Sequence, residues 1–128
     1  MLSIEGPGGT LDISVFLQNH GEIDSLGFKI AGLAYSCDLS AIPEQSWGAV
    51  SDLDVWIIDA LRIIPHPSHL SLSDSLEQIA RFQPRQAVLT DMNIELDYAQ
   101  TEADTPENVT PAFDGMQIDV LNGRILNR

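Results

Sequence analysis

The chain has 128 residues, with 19 acids against 6 lysines and arginines, a formal charge of −13, and 44% hydrophobic content. Those values describe a small globular domain and exclude long-range attraction to a nucleic-acid backbone, because no basic stripe exists to release counterions. No apolar run is long enough to span a membrane, MLSIEGPGG lacks the basic and apolar parts of an export signal, and a lone Cys37 gives no disulfide framework; the expectation is one cytoplasmic domain over 1–128, with neither nucleic acid nor membrane as partner.

Gly6-Pro7-Gly8-Gly9 predicts a turn. Leu11, Ile13, Val15 and Leu17 then alternate with Asp12, Ser14, Phe16 and Gln18, the period of a half-buried strand. It ends at Asn19-His20-Gly21, where the histidine is either a turn residue or a ligand on a rigid support. Leu26–Ile30 and Leu33–Cys37 form a hairpin across Ala31-Gly32. A short helix is expected around Pro43–Val50.

Leu53–Ile58 carries the run Val55-Trp56-Ile57-Ile58, suited to a strand buried on both faces. It stops at Asp59, and a loop with Pro65, His66, Pro67 and His69 follows. Ser71-Leu72-Ser73-Asp74 has capping-box spacing. Leu72, Leu76, Ile79 and Ala80 then share one helical face up to Pro84. Ala87–Thr90 reads as a buried strand ending at Asp91, Leu96–Ala103 as a short helix, and Thr105–Pro111 as a loop. Ala112–Val120 reads as a last strand, paired with Arg124–Leu126 across Asn122-Gly123. Strands first, then strand–helix–strand, predict a layered α/β or α+β domain with a mixed sheet and flanking helices.

Strand ends nominate His20, Asp38, Asp59, His66, His69 and Asp91. Histidine with carboxylate is the ligand chemistry of zinc, manganese or iron. There is no Gly-x-Ser-x-Gly elbow and no phosphate-cradling Gly-x-x-x-x-Gly-Lys loop. Asn108-Val109-Thr110 matches a glycosylation acceptor, which has no meaning without export.

The blocks FLQNHGEIDSLGFKIAGLAYSCDLSAIPEQSW, LDVWIIDALRIIPHPSHLSLSDSLEQIARFQPRQAVLTDM, ELDY and PAFDGM resemble the metallo-β-lactamase-fold hydrolases, in particular the phosphoribosyl 1,2-cyclic phosphate phosphodiesterase type. The resemblance implies the C-terminal half of a four-layer αββα sandwich. It implies a metal-dependent hydrolase of a small, cyclic phosphate ester with a zinc or manganese pair in the complete enzyme. His20 would be a metal ligand, Asp38 the bridge between two ions, and His69 a general acid, with His66 substrate-facing or structural in the same loop. The family's His-x-His-x-Asp-His motif is absent, and its Leu-Thr-His-Met pattern reads Leu89-Thr90-Asp91-Met92, so Asp91 would have to ligate through oxygen. With so few ligands the isolated chain is expected to hold metal weakly or not at all. The alternative is a non-catalytic half-domain acting through association, as a homo-oligomer or with an N-terminal half.

Overall fold

The computed structural model describes residues 1–127. Seven strands form one sheet in sequence order: β1 (Leu2–Gly6), β2 (Gly9–His20), β3 (Ile23–Ile30), β4 (Leu33–Ser36), β5 (Val55–Asp59), β6 (Gln86–Thr90) and β7 (Val109–Pro111). β1 to β4 pair antiparallel as hairpins, and β4 to β7 pair parallel. Two helices, α1 (Leu72–Phe82) and α2 (Tyr98–Asp104), lie in the crossovers from β5 to β6 and from β6 to β7, while the crossover from β4 to β5 runs through a short 3-10 segment. A separate two-stranded hairpin, β8 (Ile118–Asp119) with β9 (Arg124–Ile125), follows. Among the described residues no helix is long and apolar enough to cross a membrane.

The mixed α/β expectation holds. β5 is closed on both faces, because Trp56 and Ile58 enter the helix-side core while Val55 and Val88 of β6 lie under Met116, Ile118 and Ile125. α1 starts where the spacing placed it: Ser71 accepts from the Asp74 amide and Asp74 reaches back to the Ser71 amide. Each of these bonds satisfies a donor that a helix N-terminus otherwise leaves open. The Pro43–Val50 segment is a six-residue 3-10 helix, Glu44–Ala49, rather than an α-helix.

Three expectations need correction. Residues 2–6 form β1, which the composition of the N-terminus did not reveal. Thr105–Pro111 contains β7, whose side chains are all buried. The last strand shrinks to the two residues of β8, and 112–117 instead turn across the end of the sheet.

The orientation of β2 was left open by its alternation. Its inward residues are Phe16 and Gln18, whereas Val15 and Leu17 remain 42% and 40% exposed. Register carries the exposed set across the sheet, since Leu17 pairs Leu26, Val15 pairs Phe28, and Phe28 pairs Tyr35. All of these are exposed, so one sheet face stays apolar and uncovered over β1 to β3 and the second half of β4, whereas Leu33 at the start of β4 is buried with the segment of Met116 and Ile118. On the covered face, a Cβ at Gly27 would collide with the Phe16 ring, so that ring packs directly on the neighbouring backbone.

Phe16→Ala should therefore cost about 3–5 kcal/mol in urea unfolding, while Leu17→Ser should stay within about 0.5 kcal/mol. Equal losses would put both faces of β2 in the core.

Candidate metal and phosphate site

The site follows from strand direction. β2 is antiparallel to β3, and β3 to β4, so β2 runs the same way as the parallel strands β4, β5 and β6. Their carboxyl ends share one rim, the usual location of a site in an α/β sheet. That rim receives His20 as the last residue of β2, Asp38 just beyond β4, Asp59 as the last residue of β5, and Asp91 just beyond β6. His69 joins them from the loop between β5 and α1.

Asp59 is fully buried. Its Oδ2 accepts from His69 Nδ1 at 2.7 Å and from the Leu39 amide at 3.3 Å. Its Oδ1 has no partner. Burial pushes its carboxyl above the ordinary value, against the opposing pull of the His69 and Leu39 bonds. Asp91 Oδ2 lies 3.4 Å from His69 Nδ1, and Asp38 Oδ1 lies 3.9 Å from the opposite ring nitrogen, Nε2.

His20 is held from the other side. Its Nδ1 contacts the Ser68 carbonyl at 2.6 Å, and its ring meets that of His69 edge-on at 4.8 Å. The adjoining glycine has a steric reason: Gly21 sits at φ +64°, and a Cβ there would stand 3.0 Å from the Ser68 Cβ. His66 flanks the group with its ring 5.2 Å from that of His69, pinned by Ser68. Partial desolvation, the Arg62 charge and the neighbouring histidines keep His66 below its ordinary pKa.

Backbone strain marks two of the carboxylates. Asp38 and Asp91 both have left-handed backbone, at φ 56° and φ 59°. Non-glycine residues rarely hold that conformation without surrounding support. For Asp38 the support is visible. Buried Gln18 donates to the Cys37 carbonyl at 3.1 Å, and Ser25 donates to the Asp38 carbonyl at 2.6 Å. Sequence reasoning missed Gln18 and Ser25 as positioning residues. The only available signal was a polar side chain on what proves to be the inward face of β2.

The site thus brings together His20, Asp38, His69 and Asp91, with His66 at its margin. One donor atom each from His20, Asp38 and His69 falls within a 4.8 Å span, and so does one each from Asp59, His69 and Asp91. Several carboxylates gathered among imidazoles form an acidic rim that would repel an anionic ligand. A divalent cation suits this donor set and would reverse that sign. Beside Asp91 an open cavity of about 500 Å³ is bounded by Met92, Phe113, Asp114 and Met116, on the segment after β7.

Residues 3–92 match the family described as the beta-lactamase superfamily domain. The chain belongs to that superfamily. Among solved structures, a diphosphatase from the PhnP family superposes with a TM-score of 0.81 at 29% identity, over 88% of this chain and 44% of that one. The human tRNase Z short form gives 0.65 at 18% identity, over 86% of this chain and 43% of that one. Zn(2+)-bound PqqB from Methylobacterium extorquens gives 0.62 at 17% identity, over 92% and 53%. The last two likenesses are of fold, the metallo-β-lactamase fold. This chain spans only about half the length of these structures or less. No curated protein matches the sequence.

The field of the rim reaches Tyr35. Burial first, then its contact with Cys37 and the charges of Asp38 and Asp91, raise its phenol from 10.0 to about 12. The sign follows first from burial, which disfavours the phenolate, and the neighbouring carboxylates act in the same direction. The difference in alkaline ultraviolet titration between wild type and Tyr35→Phe should centre at about 12. A centre near the unperturbed value would show a ring free of this environment.

Proposed function

We propose that this chain is the C-terminal half of a metal-dependent phosphodiesterase acting on a small, cyclic phosphate ester. The observation that carries the reading is the convergence of His20, Asp38, His69 and Asp91 on one rim of the sheet. The superfamily match and the likeness to a diphosphatase support a phosphate substrate. His20, Asp38 and Asp91 would hold divalent ions, zinc or manganese, with further ligands from the half that this chain lacks. When bound, such ions supply charge neutralisation and Lewis-acid polarisation at a phosphoryl oxygen.

The chain's own residues account for the remaining steps. Asp59 and the Ser68 carbonyl hold the two imidazoles in fixed orientation, so neither ring has to reorganise during reaction. Protonated His69, kept in place through Nδ1, presents Nε2–H toward Asp38 and can give that proton to a leaving alkoxide. His66 stands beside it at the mouth of the site, placed to contact substrate. The cavity next to Asp91 has room for the organic part of the ester, with Phe113 and Met116 as apolar walls.

The test is to isolate the protein from its host through a tag on this chain, with whatever it associates with, and supply manganese or zinc. Bis-p-nitrophenyl phosphate should be hydrolysed, and on a cyclic alkyl phosphate diester, whose alkoxide leaving group needs a proton, His69→Ala should lower kcat by about 10²–10⁴-fold. Hydrolysis indifferent to both His69→Ala and Asp38→Asn would overturn the assignment.

A second reading rests on the uncovered apolar face of β1 to β3 and the second half of β4: a non-catalytic half-domain that acts through association, with a further copy of itself or with an N-terminal half. Exposed apolar surface of that extent ordinarily marks an interface. Sedimentation of the purified chain at micromolar concentration should then show a dimer or larger species. A monodisperse monomer would remove the homo-oligomer.

A further inference from the structure

We propose that this chain by itself binds one divalent transition-metal ion through His20 Nε2, His69 Nε2 and Asp38, with His69 serving as a ligand rather than a proton donor. The inference goes beyond the proposed function: it concerns the free chain and stands even if no ester is ever hydrolysed. It begins from where the ring protons must be. A carbonyl oxygen can only accept, so the 2.6 Å contact between Ser68 O and His20 Nδ1 places the proton on Nδ1. In the neutral ring Nε2 then carries a free lone pair.

His69 is fixed by its own partner. As a carboxylate oxygen Asp59 Oδ2 can only accept, from the Leu39 amide at 3.3 Å and from His69 Nδ1 at 2.7 Å. Nδ1 holds the proton, and Nε2 is left open on the side of Asp38, 3.9 Å from Oδ1. A backbone carbonyl on one ring and a buried carboxylate on the other are the outer partners that metal-binding histidines characteristically have. Here both are in place.

Geometry favours a single ion at this point. One donor atom from each of His20, Asp38 and His69 lies within 4.8 Å of the others. Ligand bonds of about 2.0–2.1 Å put tetrahedral donors about 3.3 Å apart. The closure needed falls to Asp38, whose side chain is 62% exposed and able to swing, while His69 is 16% exposed and tied. Two imidazoles and one carboxylate, with a coordination position left open, suit zinc or cobalt(II).

Asp91 is excluded from this triad by the side of the ring it faces. Its Oδ2 lies 3.4 Å from His69 Nδ1, the protonated nitrogen, and so acts as an acceptor behind the ligand. That separates this arrangement from a site built on His20, Asp38 and Asp91. An ion held by His69 occupies the nitrogen that proton donation would use, so the free chain is a metal binder before it is a hydrolase.

The experiment is titration of the metal-free chain with zinc chloride, read by calorimetry and by ¹⁵N resonances of the imidazoles. One equivalent should bind, shifting the Nε2 signals of His20 and His69 together. His69→Gln should weaken binding at least tenfold, and Asp59→Asn, which removes only the outer partner, roughly tenfold. Asp91→Asn, which removes a nearby charge but no ligand of this triad, should weaken binding by less than His69→Gln does. Failure to bind one equivalent, an unmoved His69 Nε2 signal, or a loss that tracks Asp91 instead of His69 would each overturn the proposal. The resonances of the wild-type chain decide the matter even if a variant fails to fold.

Discussion

The architecture of the rim depends on one buried carboxylate. Asp59 closes β5 with its side chain wholly removed from water, and that side chain joins two loops. One is the loop after β4, through the Leu39 amide; the other is the loop before α1, through His69. Its own carbonyl accepts from Ser75 on α1, so the strand end and the helix are joined at the same residue. A carboxylate in such a place costs desolvation energy that hydrogen bonds only partly return. Its Oδ1 has no return at all. A fold stabilised only by packing would do better with an apolar residue there. The cost makes sense where the position of the imidazole matters more than local stability.

How much of this was readable beforehand depended on whether local chemistry or missing context decided the outcome. β5 was legible because four consecutive bulky apolar residues leave few alternatives to a doubly covered strand. The start of α1 was legible because Ser71 and Asp74 satisfy backbone groups within one turn. The strand ends that supply His20, Asp38, Asp59 and Asp91 were legible for the same reason, as polar residues that halt an apolar run. β7 was hidden because three residues of Val-Thr-Pro carry no period at all.

The orientation of β2 runs against what its composition suggests, and the reason lies deeper. Alternation shows which residues share a face but not which face the chain covers. Leu11, Ile13, Val15 and Leu17 form the more apolar set, and the usual assumption turns that set inward. Here the helix α1 and the 3-10 turn lie on the other side, against Phe16. The roles of Gln18 and Ser25 were lost with the orientation, because both matter only once Cys37 and Asp38 are known to pack above them. No property of residues 9–20 taken alone could supply that, since the covering elements lie more than twenty residues downstream.

The same inversion links the uncovered face to the site. His20 and Leu17 lie on one strand, and β2 has to be straight and registered for His20 to reach Ser68. The helix-side core supports β2 mainly through Phe16 and Gln18, near its carboxyl end, while its first half and β1 have only each other. Hairpin pairing alone is weak in water. Whatever covers Leu11, Val15, Leu26 and Phe28 would therefore stiffen the strand that carries the first histidine. If the proposed partner is the other half of the fold, then apolar burial and delivery of the remaining ligands would be one event. The free chain would keep only the histidine pair and Asp38, which are anchored by Asp59 and Ser68 and do not need the apolar face to be covered.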